Sequence, residues 1–297
     1  MHRNEGLALF VATVLGFCAA GASLADSTID PAHPYAYGSN IGWVNTRPDS
    51  TNGAVIGQYY CTGFLWSANC GWIKLGNGTP ANGYRYANTT GTDWGVNHDG
   101  EGVLTGYAYG SGIGWVTFEQ TWGQPRVDLR TGRLSGHAWG ANVGWIGLSN
   151  NYAYVRTERL DAGPDSDMDG LADAYERSHT NTLLALSGLA GHDADGDGAT
   201  DLAEAGADTD PLDANDLLAI ESLTVQGPTN RVQWTARPTR LYRLEATNTL
   251  AGASAGWTDV AGGLLGPPVL PFMIRSLTPV NDTNRFYRVR AVVPLSE

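Results

Sequence analysis

Tyr35-Ala-Tyr-Gly-Ser-Asn-Ile-Gly42-Trp43-Val44 is the first of four versions of one pattern. The others are Phe64-Leu-Trp-Ser-Ala-Asn-Cys-Gly71-Trp72-Ile73, Tyr107-Ala-Tyr-Gly-Ser-Gly-Ile-Gly114-Trp115-Val116 and His137-Ala-Trp-Gly-Ala-Asn-Val-Gly144-Trp145-Ile146. Successive Gly-Trp glycines lie 29, 43 and 30 residues apart, and periods of this size mark supersecondary units that share one core. Within each copy, aromatic and small residues alternate, a Gly, Ser or Asn turn follows, and Gly-Trp-Ile or Gly-Trp-Val returns, which is the signature of a β-hairpin. A further strand is expected before the later copies, beginning at Val96 and Val127, with turns at Asp99-Gly100 and Thr131-Gly132.

Side chains alternate across a strand, so Ile41 and Trp43 are expected on one face and Gly42 and Val44 on the other, with the glycines admitting a close neighbour. A Trp recurring at one place in every repeat is expected to pack between repeats; a flat platform for sugar is the second reading. The aromatics outside the pattern, Tyr84, Tyr86, Trp94 and Trp122, are the expected exposed contacts.

Downstream lie two acidic runs, Asp165-Ser-Asp167-Met-Asp169-Gly170-Leu171-Ala-Asp173-Ala-Tyr-Glu176 and Asp193-Ala-Asp195-Gly-Asp197-Gly198-Ala199-Thr-Asp201-Leu-Ala-Glu204. Oxygen side chains fall at positions 1, 3, 5 and 9, glycine at 6 supplies a sharp turn, and the carbonyl at 7 (Leu171 or Ala199) and Glu at 12 complete a calcium shell. Calcium, at least two ions, is therefore the expected cofactor. Magnesium fits less well, because it takes fewer protein carboxylates and keeps its water. Helical spacing follows each loop, with Leu171 and Tyr175, or Leu202 and Ala205, sharing a face. Leu160-Asp-Ala-Gly-Pro164 is a turn, so no helix enters the first loop and a loop-helix unit is expected. Asp208, Asp210 and Asp213 lack the glycine turn; they are expected to complete one of the shells or to form a weaker third site.

Charge is concentrated in the same place. From Glu158 to Glu221 there are 17 acidic residues against Arg159 and Arg177, a net of −15 where the whole chain carries −12. With the rest slightly positive and no basic stripe, nucleic-acid binding is excluded as an expectation. Residues 1–25 read as an export signal: Arg3, an apolar run from Leu7 to Ala20, and small residues at Ala22-Ser23-Leu24-Ala25. No later segment is long and apolar enough for a membrane-spanning helix, so a secreted or cell-surface location follows. Cys18 leaves with the signal, and Cys61 and Cys70 are expected to form a disulfide in an oxidising compartment, with two buried free thiols as the alternative.

The runs Asp-x-Asp-x-Asp-Gly-Leu-x-Asp and Thr209-Asp210-Pro211-Leu212-Asp213 resemble bacterial thrombospondin type 3 calcium repeats, about a fifth of the chain; the resemblance implies loops that wrap ions and stiffen a connection between domains. Ala199 departs from it, standing where a larger apolar residue is usual. The Gly-Trp copies resemble repeats of exported bacterial proteins and imply no activity. From Leu217 on, six short alternating segments (Ile220–Val225, Arg231–Thr235, Tyr242–Ala246, Trp257–Val260, Phe272–Ser276 and Phe286–Val293) suggest an antiparallel sandwich. Tyr242-Arg-Leu-Glu245 and Phe286-Tyr-Arg-Val-Arg290 are similar to fibronectin type III-like modules, which bind or space. The expected fold is thus mainly β, in the order export signal (1–25), β-repeat module (26–158), calcium-binding loop-helix connector (159–216) and β-sandwich (217–297).

Catalytic patterns are weak. There is no His-Glu-x-x-His helix and no Gly-x-Ser-x-Gly elbow; His137 occupies an aromatic slot of a repeat, and His98 with Asp99 reads as a solvated pair in a polar turn. The expectation is a non-catalytic exported calcium-binding protein acting in surface adhesion, matrix assembly or polysaccharide attachment, with a polysaccharide or cell-surface protein as partner. The alternative is a secreted glycan-active hydrolase or accessory module, with a cleft lined by Trp94, Trp122, Asp99 and Glu101.

Overall fold

A computed structural model of the protein describes residues 26–49, 51–226, 229–249, 256–278 and 285–297. The expected export signal lies outside them. The fold is mainly β and antiparallel. Its first part runs β1 (Ile29–Gly38), β2 (Gly42–Asn45), β3 (Val55–Ile56), β4 (Cys61–Thr62), β5 (Phe64–Ser67), β6 (Gly71–Lys74) and β7 (Val96–His98). It continues with β8 (Leu104–Gly110), β9 (Gly114–Phe118), β10 (Arg126–Val127), β11 (Leu134–Ser135), β12 (His137–Gly140), β13 (Gly144–Gly147) and β14 (Val155–Thr157).

Every Gly-Trp copy is a hairpin in the same register, with Gly38 opposite Gly42, Ser67 opposite Gly71, Gly110 opposite Gly114 and Gly140 opposite Gly144. In the first, Ile41 N–H donates to the Gly38 carbonyl across the turn at 3.2 Å. Gly42 then re-enters the strand at φ +72°, and Gly71, Gly114 and Gly144 do the same between +74° and +78°. The left-handed backbone, not a close neighbour, is what requires these glycines: a Cβ on Gly71 would meet nothing within 4 Å.

Hairpins join through β2–β5, β6–β8 and β9–β12, and β13 returns to pair with β1. Eight strands therefore close into a barrel, which removes its edges. The expected extra strands are β7 and β10, with β3 before the second copy. For the first copy β14 serves, pairing Ile29 with Thr157, so the end of the module completes its beginning.

Trp43 and Val44 fall on opposite faces as expected, and Ile41 departs from the pattern. Ile41 belongs to the turn rather than the strand, so it and Val44 both point inward while Trp43 points out and is 49 % exposed. Layers of four fill the interior, such as Val44, Ile73, Val116 and Ile146 from the returning strands, as an eight-stranded barrel just wide enough for side chains requires. Outside, each Gly-Trp tryptophan leans edge-on against rings of its paired strand, for example Trp66 to Trp72 at 4.9 Å and Tyr109 to Trp115 at 5.0 Å. Trp72, Trp115 and Trp145 are exposed like Trp43. The tryptophans thus form an outer belt and not an inter-repeat core. Of the aromatics expected to be exposed, Trp122 is, at 81 %, whereas Tyr86 and Trp94 are buried and Tyr84 is half-buried.

Cys61 and Cys70 are both free, which corrects the expected disulfide. Cys61 precedes β5 and Cys70 follows it in the hairpin turn, so a four-residue strand rising about 3.3 Å per residue holds them farther apart than a disulfide spans.

Two seven-residue helices follow, α1 (Asp173–His179) and α2 (Asp201–Ala207), each after an acidic loop and with no helix entering the first. Leu171 and Tyr175 pack together with Leu186 against Tyr59 of the barrel's β3–β4 connection. Leu202 is exposed instead of sharing an apolar face with Ala205, because α2 buries Asp201, Glu204 and Ala207. The last part comprises β15 (Ile220–Gln226), β16 (Thr229–Thr235), β17 (Leu241–Thr247), β18 (Thr258–Asp259), β19 (Phe272–Leu277) and β20 (Phe286–Val292). Sheets β15-β16-β19 and β18-β17-β20 share a core around Trp234, Tyr242 and Leu244.

Candidate metal centres

Each acidic loop is wound around its first aspartate. Asp165 accepts the Asp169 amide at 3.2 Å and the Gly170 amide at 3.0 Å, and Asp193 accepts those of Gly196 at 2.7 Å and Gly198 at 3.0 Å. The sixth residue sits at φ +102° in Gly170 and +99° in Gly198, a conformation open to glycine. Asp169 and Asp197 likewise accept the amides of Leu171 and Ala199. This winding brings one oxygen each from Asp165, Asp167 and Asp169 within 4.8 Å of one another, and the same holds for Asp193, Asp195 and Asp197.

The twelfth residue decides what those triplets can hold. Glu176 is 0 % exposed, and neither of its carboxylate oxygens has a hydrogen-bond partner. Burial first, then the charges of Asp167 and Asp169, push it up to about 8. Glu204 is also buried, keeps one oxygen unpartnered, and rises to about 7 through burial and the charges of Asp195 and Asp197. Asp167 and Asp195 are raised for the same reasons, and Asp195 Oδ2 and Asp197 Oδ2 are orphaned. Buried carboxylate oxygens are normally satisfied; here they carry the repulsion of the loop aspartates, which a divalent cation offsets, although neither glutamate joins the close aspartate triplets. All-oxygen donors suit a hard ion. The donor set therefore fits the group that the spacing implies.

Two of the expected ligand sets have other work. Asp173 and Asp201, at position nine, stand at the first residue of each helix and close the loop by accepting the amide of its second residue, Ser166 at 2.7 Å and Ala194 at 2.9 Å. A carboxylate at a helix start is favoured there in its own right. Asp201 also accepts His192 Nδ1 at 2.7 Å and Ser187 N–H at 2.8 Å, while the adjacent Gly188 N–H donates to Asp169 at 3.2 Å. That adjacent pair of amides ties the loops together, a link the spacing alone gives no sign of.

Asp208, Asp210 and Asp213 join neither triplet and form no third one among the described residues. Asp208 ends α2 in a left-handed cap and pairs with Arg240 at 3.3 Å and with Thr239. Asp210 and Asp213 accept amides of their own turn, from Leu212 and Asn215.

The components of the alternative glycan cleft are each engaged in local contacts. Trp94 is buried edge-on against Trp115 at 5.0 Å, and Trp122 lies in a loop whose amides are gathered by Glu119. Asp99 caps the turn containing Glu101. His98 is buried rather than solvated; it bonds Gly57 O at 2.9 Å and accepts from Gly102 N–H, and burial lowers its pKa.

No helix among the described residues is long and apolar enough to cross a membrane. Compared with known protein families, curated proteins and solved structures, the chain matches none.

Proposed function

We propose that the chain is a non-catalytic exported protein in which bound calcium orders the segment between an aromatic barrel and a sandwich, and that it serves surface adhesion, matrix assembly or polysaccharide attachment. The observation that carries the calcium reading is Glu176: a fully buried carboxylate with both oxygens unpartnered, raised by burial and by the charges of the loop aspartates. Repulsion at that point destabilises the cation-free segment, so an ion that binds only the folded form stabilises it by mass action. Export is read from residues 1–25 and attachment from the lack of a catalytic constellation beside a ring-rich surface.

Calorimetric titration of calcium into the purified chain tests it. Two ions bind, Glu176→Gln and Glu204→Gln each remove or strongly weaken one, and millimolar magnesium does not substitute. No heat and no ordering with calcium refutes the metal reading. Retention on native cell-surface polysaccharide that ignores both calcium and chelator refutes the coupling of metal to attachment.

A further inference from the structure

We propose that the outer belt of the barrel is a multivalent binding surface for a neutral, β-linked hexopyranose polymer, with one platform per Gly-Trp copy. This rests on the attachment role proposed above, and not on its calcium half. At the centre of each platform is the exposed ring of Trp43, Trp72, Trp115 or Trp145, held edge-on by rings of the neighbouring strand. So many exposed rings in one band exceed what a soluble surface carries without use. Edge-on packing restrains each indole while leaving it 41–49 % exposed, and a rigid ring with few free torsions loses little entropy when a ligand stacks on it.

The chemistry of the belt selects among occupants. Although the chain is strongly acidic overall, the outward positions of the four hairpins, from Tyr35 onward, carry no carboxylate and a single cation, Lys74, and Asp30, earlier in β1, is already paired with His33 and Arg156. A charged partner finds nothing to pair with there. Those positions also carry no Leu, Ile or Val to enter the hydrocarbon of a bilayer, and no basic cluster draws anionic headgroups. Most barrel strands are four residues long, whereas a membrane-spanning strand needs about 9–11. What remains is flat aromatic faces edged by phenol, indole N–H, amide and hydroxyl groups. That matches a pyranose, whose C–H face stacks on a ring while its equatorial hydroxyls meet polar neighbours.

Geometry sets the valence. Successive tryptophans are two strand spacings apart, roughly 10 Å along the barrel wall, and four copies around a closed ring turn each platform a quarter turn from the last. A straight polymer cannot touch all four. The copies therefore act as separate sites able to hold different chains, and affinity for polymer exceeds that for oligosaccharide through effective concentration. The platforms are not identical: Trp94 covers one side of Trp115, so the third copy is the weakest.

Affinity electrophoresis through gels containing hydroxyethyl cellulose or glucomannan, and calorimetry with cellohexaose and mannohexaose, test this on the whole chain in calcium and in chelator. The expected result is retardation by at least one polymer and about four hexasaccharides per chain. Each of Trp43→Ala, Trp72→Ala and Trp145→Ala should remove about one site, while the Trp→Phe variants, which keep a smaller ring in the same packing, should weaken that site several-fold without removing it. Unchanged melting temperatures establish that the fold persists, and the Phe series carries the test if an Ala variant unfolds. Binding that persists in chelator upholds the platforms whether or not calcium binds. The proposal is overturned by no binding to any of these glycans or by binding indifferent to the tryptophans. It is overturned equally if the same substitutions abolish flotation with phosphatidylcholine vesicles or concentration-dependent dimerisation instead, which would give the belt to lipid or to a second copy.

Discussion

Asn40 Nδ2 donates to the carbonyl of Val143, 103 residues away, at 3.0 Å. The same bond runs from Asn69 to Ile41 and from Asn142 to Ile113, each at 3.0 Å, so every asparagine reaches back to the preceding hairpin, and the first copy's reaches the last. The third copy has Gly112 at this position, where a Cβ would stand 2.8 Å from the Cys70 carbonyl; there the backbones approach too closely for a side chain. Asn40→Ala removes one such bond, and the exposed end of the barrel lets water replace part of it. The expected loss is about 1 kcal/mol, similar for Asn69→Ala and Asn142→Ala, read as midpoint shifts in urea unfolding. Gly112→Asn should destabilise the fold rather than complete the ring.

Proton linkage provides a second prediction. The ordinary carboxyl value is near 4.5, and Glu176 and Glu204 rise to about 8 and about 7 in the folded chain. Above 4.5 the unfolded chain has released protons that the folded chain retains, so cation-free stability should fall as pH rises from about 4.5 toward 8. Calcium must displace those protons, so uptake near pH 6 should release about two per chain, and about one in Glu176→Gln. Titration in buffers of different ionisation enthalpy measures the number. Cation-free stability that rises over that interval would contradict the environment described for these carboxylates.

How much of this was legible follows from which interactions are local. The hairpins were, because a positive-φ glycine and an alternating run specify them within ten residues. The pairing of β13 with β1 was not, since nothing in either strand names a partner more than a hundred residues off. Counting Ile41 as a strand residue puts Trp43 on its face, but Ile41 lies in the turn, and the phase starts at Gly42. Ala36, Ala108 and Ala138 held the missing signal, because an eight-stranded barrel has room for alanines between the larger aliphatics and none for a dozen rings. In the acidic loops, spacing identified the triplets and the terminal glutamates. It could not distinguish a ligand from a brace at Asp173 and Asp201, where a carboxylate is equally at home as the first residue of a helix.

Arg240 is the most connected side chain at the junction with the sandwich. It is buried and donates to the carbonyls of Ala205 at 2.8 Å and Gly206 at 2.9 Å at the end of α2, and to Asp208 at 3.3 Å. Arg240→Ala leaves those acceptors and the Asp208 charge without their donor, a cost of about 2 kcal/mol. Lysine should rescue little, since one ammonium cannot span the positions a guanidinium reaches. The expected readout is faster proteolytic cleavage between residues 208 and 217, with the sandwich melting apart from the barrel in calorimetry. A single unchanged transition would place the docking energy elsewhere.

The thiols offer a direct check on the barrel's depth. Burial pushes Cys61 up to about 12, so almost no thiolate exists at neutral pH, and attack on a disulfide reagent needs both thiolate and access. Cys70, in a hairpin turn, is only half-buried. Native labelling with a maleimide at pH 7 should therefore modify Cys70 and spare Cys61, with Cys61 reacting after denaturation, as peptide mapping can show. Because β5 separates the two along its whole length, oxidation should not join them within one folded chain, and reduction before denaturation should leave the labelling pattern unchanged. A Cys61–Cys70 crosslinked peptide from the native chain would require β5 to leave the barrel wall, and with it the register of the second hairpin.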